Sequence, residues 1–409
     1  MSKIKKCRSC NSNKLQRLFS LGDQYFTGIF PKNKHQKVPR GKLILVMCNR
    51  CKLVQLSENF NLKKMYGNNY GYRTGLNISM VNHIKDKINF LKKKFKIKKE
   101  DIVIDIGAND GTLLGFLDSK IYKLIAVDPT IKKFKKFYKK NIIKVPNFFS
   151  FGSVKKYLKN KKAKLITSIA MFYDLPKPVL FAKQIYKTLA NEGVWHFEQS
   201  YSGFMIKNLS YDTICHEHLE YYSLKSIKYI LDITGFKIID LEFNDINGGS
   251  FAITVSKKNS KYKENSKIIE WLLKKEDIYK YNSFLTHKNF FQHAEKHKKL
   301  FRELLLNLKD MKKKIIGYGA STKGNVILQY CDINSQILDV IVDVNKDKHN
   351  KFTPGSKIKI VGESFIKKIK PDYMVVMPWH FKSFIMNKEK PFLNGGGKLI
   401  FPLPDIEIV

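Results

Sequence analysis

Two short cysteine pairs, Cys7-Arg-Ser-Cys10 and Cys48-Asn-Arg-Cys51, constrain this chain more than any other feature. A tight turn with two thiolates can bring both to one tetrahedral ion. Two such turns complete a four-sulfur shell, so the segment between them must fold back on itself. The spacing predicts a structural Zn2+ held by Cys7, Cys10, Cys48 and Cys51, with no open coordination position and hence no catalytic role. Disulfides are the competing reading, and they belong to oxidising compartments. The opening MSKIKKCRSC carries charge without a signal-peptide core, and no apolar run approaches the ~18 residues of a membrane span. The expectation is a cytoplasmic protein with no membrane partner. Cys215 and Cys331 stand alone, a pattern more usual for buried fillers than for nucleophiles.

The chain has 409 residues and 43% hydrophobic side chains, room for two or three ordinary cores. Its formal net charge of +41 suggests a polyanionic partner, yet six of the 76 basic residues are arginine and the lysines are scattered through every segment. Nucleic-acid readers concentrate charge on one face and favour the planar arginine fork. A lysine-coated surface is the expectation, with no nucleic acid as partner; an anionic small molecule remains compatible with the charge.

Beyond the tyrosine- and glycine-rich connector MYGNNYGYRTGLNISM, a helix is predicted from about Val81 to the lysines before Glu100. DIVIDIGANDGTLL, residues 101 to 114, reads as strand, glycine turn and helix start. Such a turn lets backbone approach a ligand at the helix N-terminus, and an acidic residue ending the next strand, Asp128 in LIAVDPT, can hold ribose hydroxyls. The glycine pattern is GxNxG without a third packing glycine, and the acidic residue is followed by Pro129, a combination that resembles the S-adenosylmethionine pocket of class I methyltransferases more than a dinucleotide site. Asp105, Gly107, Asn109, Gly111, Asp128 and Pro129 form the expected cofactor set. Strands at KLITSIAMF and GVWHFEQS, then a helix and closing strands through KYILDITGFKIIDLEF and GGSFAITVS, extend a doubly wound sheet.

A helical, lysine-rich stretch from about Ser256 to Asp310 precedes KKKIIGYGASTKGNVILQY, a second strand, glycine loop and helix. Gly317, Gly319, Ser321, Thr322, Lys323, Gly324 and Asn325 gather there, an expected anion cradle for a diphosphate. The spacing misses the P-loop pattern and disfavours ATP hydrolysis. Strands at DVIVDV and DYMVVMPWH complete a Rossmann-like C-terminal domain. The fold class is α/β in three parts: a zinc-binding domain with its connector over residues 1–75, a class I methyltransferase sheet over 76–256, and a C-terminal Rossmann-like domain over 257–409.

One segment between these parts, YDTICHEHLEYYSL, gathers His216, His218, Glu217 and Tyr222. A two-residue spacing cannot place both histidines on one helix face, but it does place them on one side of an extended chain, as ligands or as a base with a helper.

The order CxxC…CxxC, DIGANDGTLL, CHEHLEYYSL, GYGASTKGN resembles the zinc-containing sugar C-methyltransferases over nearly the whole chain. The resemblance implies S-adenosylmethionine as methyl donor and a nucleotide-linked ketosugar as small-molecule substrate, methylated beside the ketone. It maps the family's catalytic base onto His218 and its sugar-contacting glutamate onto Glu217. A family tyrosine falls on Cys215, a departure that bears on the sugar substituent, and a second falls on Tyr72 or its close competitor Tyr70. Chemically, a base must remove the proton beside the ketone and donors must receive the enolate oxygen. His218 is the expected base, Glu217 holds a sugar hydroxyl, and Tyr72 or His216 polarises the ketone, with Tyr70, Cys215 and Tyr222 as further substrate contacts. Sugar O- or N-methylation could use the same histidine, and a zinc-ribbon RNA-binding methyltransferase is the rival from another class. Oligomeric state is not encoded legibly.

Overall fold

The computed structural model describes residues 2–61, 65–66 and 72–409. The N-terminal part forms β1 (Leu15–Tyr25), β2 (Arg40–Cys48) and β3 (Val54–Leu56), an antiparallel meander with the second cysteine knuckle at the end of β2. After the connector comes α1 (Ile78–Lys94), whose N-cap Asn77 accepts a hydrogen bond from the Met80 amide.

The central sheet comprises β4 (Ile102–Ile106), β5 (Lys123–Val127), β6 (Ile143–Val145), β7 (Ala163–Ile169) and β8 (Leu189–Ser200). It follows the order β6-β5-β4-β7-β8, with every neighbouring pair parallel. β4 is buried at all five positions of IVIDI, the continuous apolar run that a parallel strand covered on both faces requires, apart from Asp105. Next come β9 (Glu220–Tyr221), α2 (Leu224–Thr234), β10 (Phe236–Asn244) and β11 (Ser250–Lys257). β11 inserts antiparallel between β8 and β10 and closes a seven-stranded sheet, the class I methyltransferase architecture expected from the sequence. Gly235 ends α2 in the left-handed conformation that lets the chain turn directly into β10.

Helices α3 (Ser266–Ile278) and α4 (Phe284–Asp310) fill the lysine-rich stretch. Although α3 lies beyond residue 257, its Ile269 and Leu272 belong to the core of the central sheet. The C-terminal part contains β12 (Ile315–Tyr318), α5 (Thr322–Tyr330), β13 (Val340–Val342), β14 (Lys359–Val361), β15 (Tyr373–Val376), β16 (Lys398–Phe401) and β17 (Glu407–Ile408). These strands form one six-stranded sheet ordered β14-β13-β12-β15-β16-β17, parallel except for β17.

The three parts are not beads on a string. β9 leaves the central stretch and pairs antiparallel with β3 as the outer strand of the N-terminal sheet. One hydrophobic core runs from β1–β3 through Ile214, Cys215 and Leu219 into β12, α5 and β15. The histidine-bearing segment is therefore held by both flanking parts. Among the described residues, no helix is long and apolar enough to cross a membrane.

Candidate active site and metal centre

The four knuckle cysteines are buried, and their sulfurs lie within 4.8 Å of one another. Cys7 and Cys51 approach to 3.6 Å and Cys10 and Cys48 to 3.4 Å. A tetrahedral zinc with Zn–S near 2.3 Å needs sulfurs about 3.8 Å apart, so the thiols fit the ion. Gln55 donates to the Cys7 sulfur at 3.2 Å. Between the first two ligands, Arg8 donates to the Leu56 carbonyl at 2.6 Å and the Glu58 carbonyl at 2.8 Å, and lies 3.7 Å from the buried Glu220. The knuckle is thus tied to both strands of the β3–β9 pair that leads to His218.

A cavity of about 580 Å3 opens where the three parts meet, within the range of small-molecule sites. Part of its wall is formed by the carboxyl ends of β4 and β5. Asp128 accepts the Asn109 amide at 2.9 Å and the Thr130 amide at 2.6 Å, fixing its carboxylate at the strand end. Burial raises its pKa. Asp105 accepts from the Thr167 hydroxyl at 2.7 Å, and burial pushes its carboxyl up to about 7. Both acids, Gly107, Asn109 and Pro129 line the cavity. Gly111 does not; its φ of +80° leaves room for Tyr138, whose Cδ1 would stand 2.6 Å from an added Cβ. It is a packing glycine. The connector docks on the same turn: the Thr74 amide donates to Asn109 Oδ1 at 2.9 Å and the Gly75 amide to Asp110 at 2.9 Å.

His218 also lines this cavity. Its Nδ1 lies 2.7 Å from the Thr213 carbonyl, which can only accept, so Nδ1 carries the hydrogen and Nε2 the lone pair. Tyr173 packs against the ring at 4.4 Å. Burial, followed by the Lys323 charge, lowers the imidazole to about 3 and keeps it neutral. Glu217 lines the same wall, accepts weakly from the Thr27 hydroxyl at 3.4 Å and is raised by burial. Cys215 also lines it, its thiol raised well above the usual range by burial. Tyr72 lines the cavity; desolvation pushes its phenol up to about 12, so it stays protonated and can act as a donor.

Four expected contacts are not brought to the cavity. His216 is turned away because the segment is a tight turn, not an extended chain: the His218 amide donates to the Cys215 carbonyl at 3.2 Å. His216 instead bonds the Gly41 carbonyl at 3.0 Å and packs between Phe26 and Phe60, with centroids 4.6 and 4.8 Å away. Tyr222 is fully buried in the central core beside Phe172. Asn325 points into the N-terminal part and donates to the Thr27 carbonyl at 2.8 Å. Gly317 is a β12 residue pressed on Ile341, whose Cγ1 would be 2.7 Å from an added Cβ. Tyr70 lies outside the described residues.

The rest of the second glycine turn does reach the cavity through Gly319, Ser321, Thr322 and Lys323. Ser321 caps α5 by accepting the Gly324 amide at 2.9 Å. One group escaped the sequence reading. Asp174 follows the carboxyl end of β7 in the cavity wall and accepts from the Tyr66 hydroxyl at 2.6 Å, with its other oxygen unpartnered among the described residues. Burial and the Glu217 charge raise it well above the usual carboxylate range. Its place just past a parallel strand was the available signal, since ligands gather there.

Family models match in series: "Putative zinc binding domain" over residues 7–66, "Methyltransferase domain" over 78–241 and "C-methyltransferase C-terminal domain" over 245–404. The C-methyltransferase NovU of Streptomyces niveus is 25% identical over 369 residues, covering 90% of this chain and 87% of its own. Among solved structures, an S-adenosylmethionine-dependent methyltransferase from Clostridium acetobutylicum is 15% identical, with TM-score 0.34 over 43% of this chain and 92% of its own. The plantazolicin methyltransferase BpumL with S-adenosylhomocysteine is 13% identical, with TM-score 0.34 over 42% of this chain and 82% of its own. Three matches that follow one another along nearly the whole length, and a C-methyltransferase relative aligned over nine-tenths of it, place the chain among the S-adenosylmethionine-dependent C-methyltransferases that carry a zinc-binding domain.

Proposed function

We propose that the methyl acceptor is the carbon beside the ketone of a nucleotide-linked sugar, activated as an enolate by His218. The observation that carries this reading is the neutral imidazole whose Nδ1–H is anchored on the Thr213 carbonyl, leaving Nε2 as the acceptor in the same cavity as the donor turn. An α proton taken by Nε2 leaves an enolate, which attacks the sulfonium methyl in line. Tyr72 donates toward the sugar oxygens, and Glu217 and Asp174 hold hydroxyls across the cavity from it. Cys215, in place of the family tyrosine, leaves a smaller and weaker donor beside the sugar. The second glycine turn holds the diphosphate with the Gly319 loop and Ser321. S-adenosylmethionine supplies the methyl group, with Asp128 on its ribose hydroxyls. Zn2+ on the four thiols holds the β3–β9 pair that carries the base.

The test uses dTDP- and UDP-linked 4-ketohexoses with S-adenosylhomocysteine in deuterated buffer. The wild type should exchange the α proton, and His218→Ala should bind cofactor and sugar while losing exchange and methyl transfer by ~10² or more. Methylation at oxygen or nitrogen in the product, or exchange unchanged in the variant, would overturn the enolate reading.

A further inference from the structure

We propose that Lys323 is the cation that receives the developing enolate oxygen, and not a ligand of the diphosphate; this rests on the enolate reading above. The sequence puts Lys323 at the start of α5, where an ammonium could reach out to a phosphate with the helix N-terminus. The structure turns it the other way. Its Nζ donates to the Asn247 carbonyl at 2.6 Å, across the cavity wall on a loop that precedes β11. An ammonium has three donors, and the other two have no partner among the described residues.

Lys323 lines the same cavity as Cys215, His218 and His380, and its charge acts on both histidines and on Asp212. Asp212 accepts from the Trp379 indole at 2.8 Å and is fully buried, with its other oxygen unpartnered among the described residues. His218 and His380 are both depressed, by burial first and by the Lys323 charge next. A half-buried ammonium in the same cavity as a neutral base is a costly arrangement once the base is protonated, because two cations then share the cavity. An anion between them removes the conflict. The reaction supplies one at the moment of proton transfer: His218 Nε2 takes the α proton, the C–H pair becomes the new C=C bond, and the carbonyl π pair moves onto oxygen. A Lys323 N–H donates to that oxygen and remains protonated. The enolate carbon then attacks the methyl group, the C–S pair stays on sulfur, and the proton leaves His218 for solvent. A preorganised cation placed where charge develops is worth more than one that binds the substrate equally before and after.

Three measurements on the full-length protein decide the matter. In the 15N-resolved titration of His218 without substrate, Lys323→Met should raise the midpoint by about one unit and Lys323→Arg should leave it low; no rise overturns the proximity. By calorimetry, dTDP and UDP should bind Lys323→Met within about three-fold of wild type, whereas a ten-fold loss would return the lysine to the diphosphate. In the exchange assay, Lys323→Met should lose α-proton exchange by ~10² with Lys323→Arg partly active, and exchange at the wild-type rate overturns the assignment. A wild type that binds the ketosugar without exchanging its proton overturns the enolate reading, and the lysine's role with it. If Lys323→Met loses S-adenosylhomocysteine binding through misfolding, Lys323→Gln takes its place in all three.

Discussion

The two glycine turns are built alike and finished differently. In the central sheet, Asp128 at the end of β5 accepts the Asn109 and Thr130 amides at 2.9 and 2.6 Å. In the C-terminal sheet, Asp343 follows β13 and accepts the Ala320 and Asn345 amides at 2.9 and 2.7 Å. Each acid therefore clamps the turn after the preceding strand to the turn after its own. The difference is one cation. Lys348 lies 3.1 Å from Asp343, donates to the Ala320 carbonyl at 2.8 Å and sits 5.0 Å over the Phe30 ring. Among the described residues Asp128 has no cationic partner; the Asn109 and Thr130 amides and the Thr130 hydroxyl hold its carboxylate at the cavity wall. The same backbone solution thus holds one acid by hydrogen bonds alone and pairs the other with a cation.

Both turns stand on a frame closed by the zinc knuckles, so the most severe break is made there. Cys48→Ser should release the metal and destabilise the protein by more than about 3 kcal/mol, because a structural zinc contributes folding free energy directly. Elemental analysis and chemical denaturation read both effects. Full zinc content in the variant would remove the four-thiol assignment.

The comparison itself is tested by Asp128→Ala against Asp343→Ala. The first should weaken S-adenosylhomocysteine binding by about 30-fold, on the order of 2 kcal/mol, by removing a charged acceptor from the ribose. The second should leave it within about two-fold, its effect confined to stability. Equal losses would mean that the donor is recognised elsewhere, and the contrast between the turns would have no functional content.

These turns were legible because their geometry is local. Gly107, Asn109 and Asp128 are fixed by a strand, a reversal and the next strand, each visible as a short pattern, and the four cysteines need only their spacing. The histidine segment was legible as chemistry but not as shape: HEH suggests extended chain, whereas β9 must pair with β3 and the core must take Ile214 and Leu219, which folds Cys215–His218 into a turn and buries His216. Tyr222 and Asn325 sit in polar-looking motifs, yet the central core and the Thr27 carbonyl claim them. Lys323 was placed by its position on α5, while its direction depends on Asn247, a residue 76 positions away. Long-range partners decide such side chains, and no local pattern records them.

A finer break tests whether both turns need their glycines for the same reason. Gly111 and Gly319 have φ of +80° and +82°, and an added Cβ would meet Tyr138 at 2.6 Å and Pro378 at 2.7 Å. Alanine at either should destabilise by about 1–2 kcal/mol, since the left-handed region and the contact both penalise it. Gly115, with nothing within 4 Å of the added atom, is the control. It lies in the short helix Thr112–Gly115, where alanine should stabilise by ~0.5–1 kcal/mol. A Gly111 variant as stable as the Gly115 variant would show that the Tyr138 ring moves aside freely.

The smallest expected effect isolates the cation that separates the two turns. Lys348 is largely shielded, with 14% of its side chain accessible, and Asp343 has 8%, so their pairing lies between the surface and buried limits. Lys348→Met should cost about 1 kcal/mol, and the coupling from a double-mutant cycle with Asp343→Asn should be similar, because each single change removes the same contact. A coupling near zero would show that Asp343 works only through its two backbone amides, and that Lys348 is held by the Ala320 carbonyl and the Phe30 ring alone. The two turns would then be equivalent in energy, and the difference between their ends of the cavity would have to come from the ligands they meet.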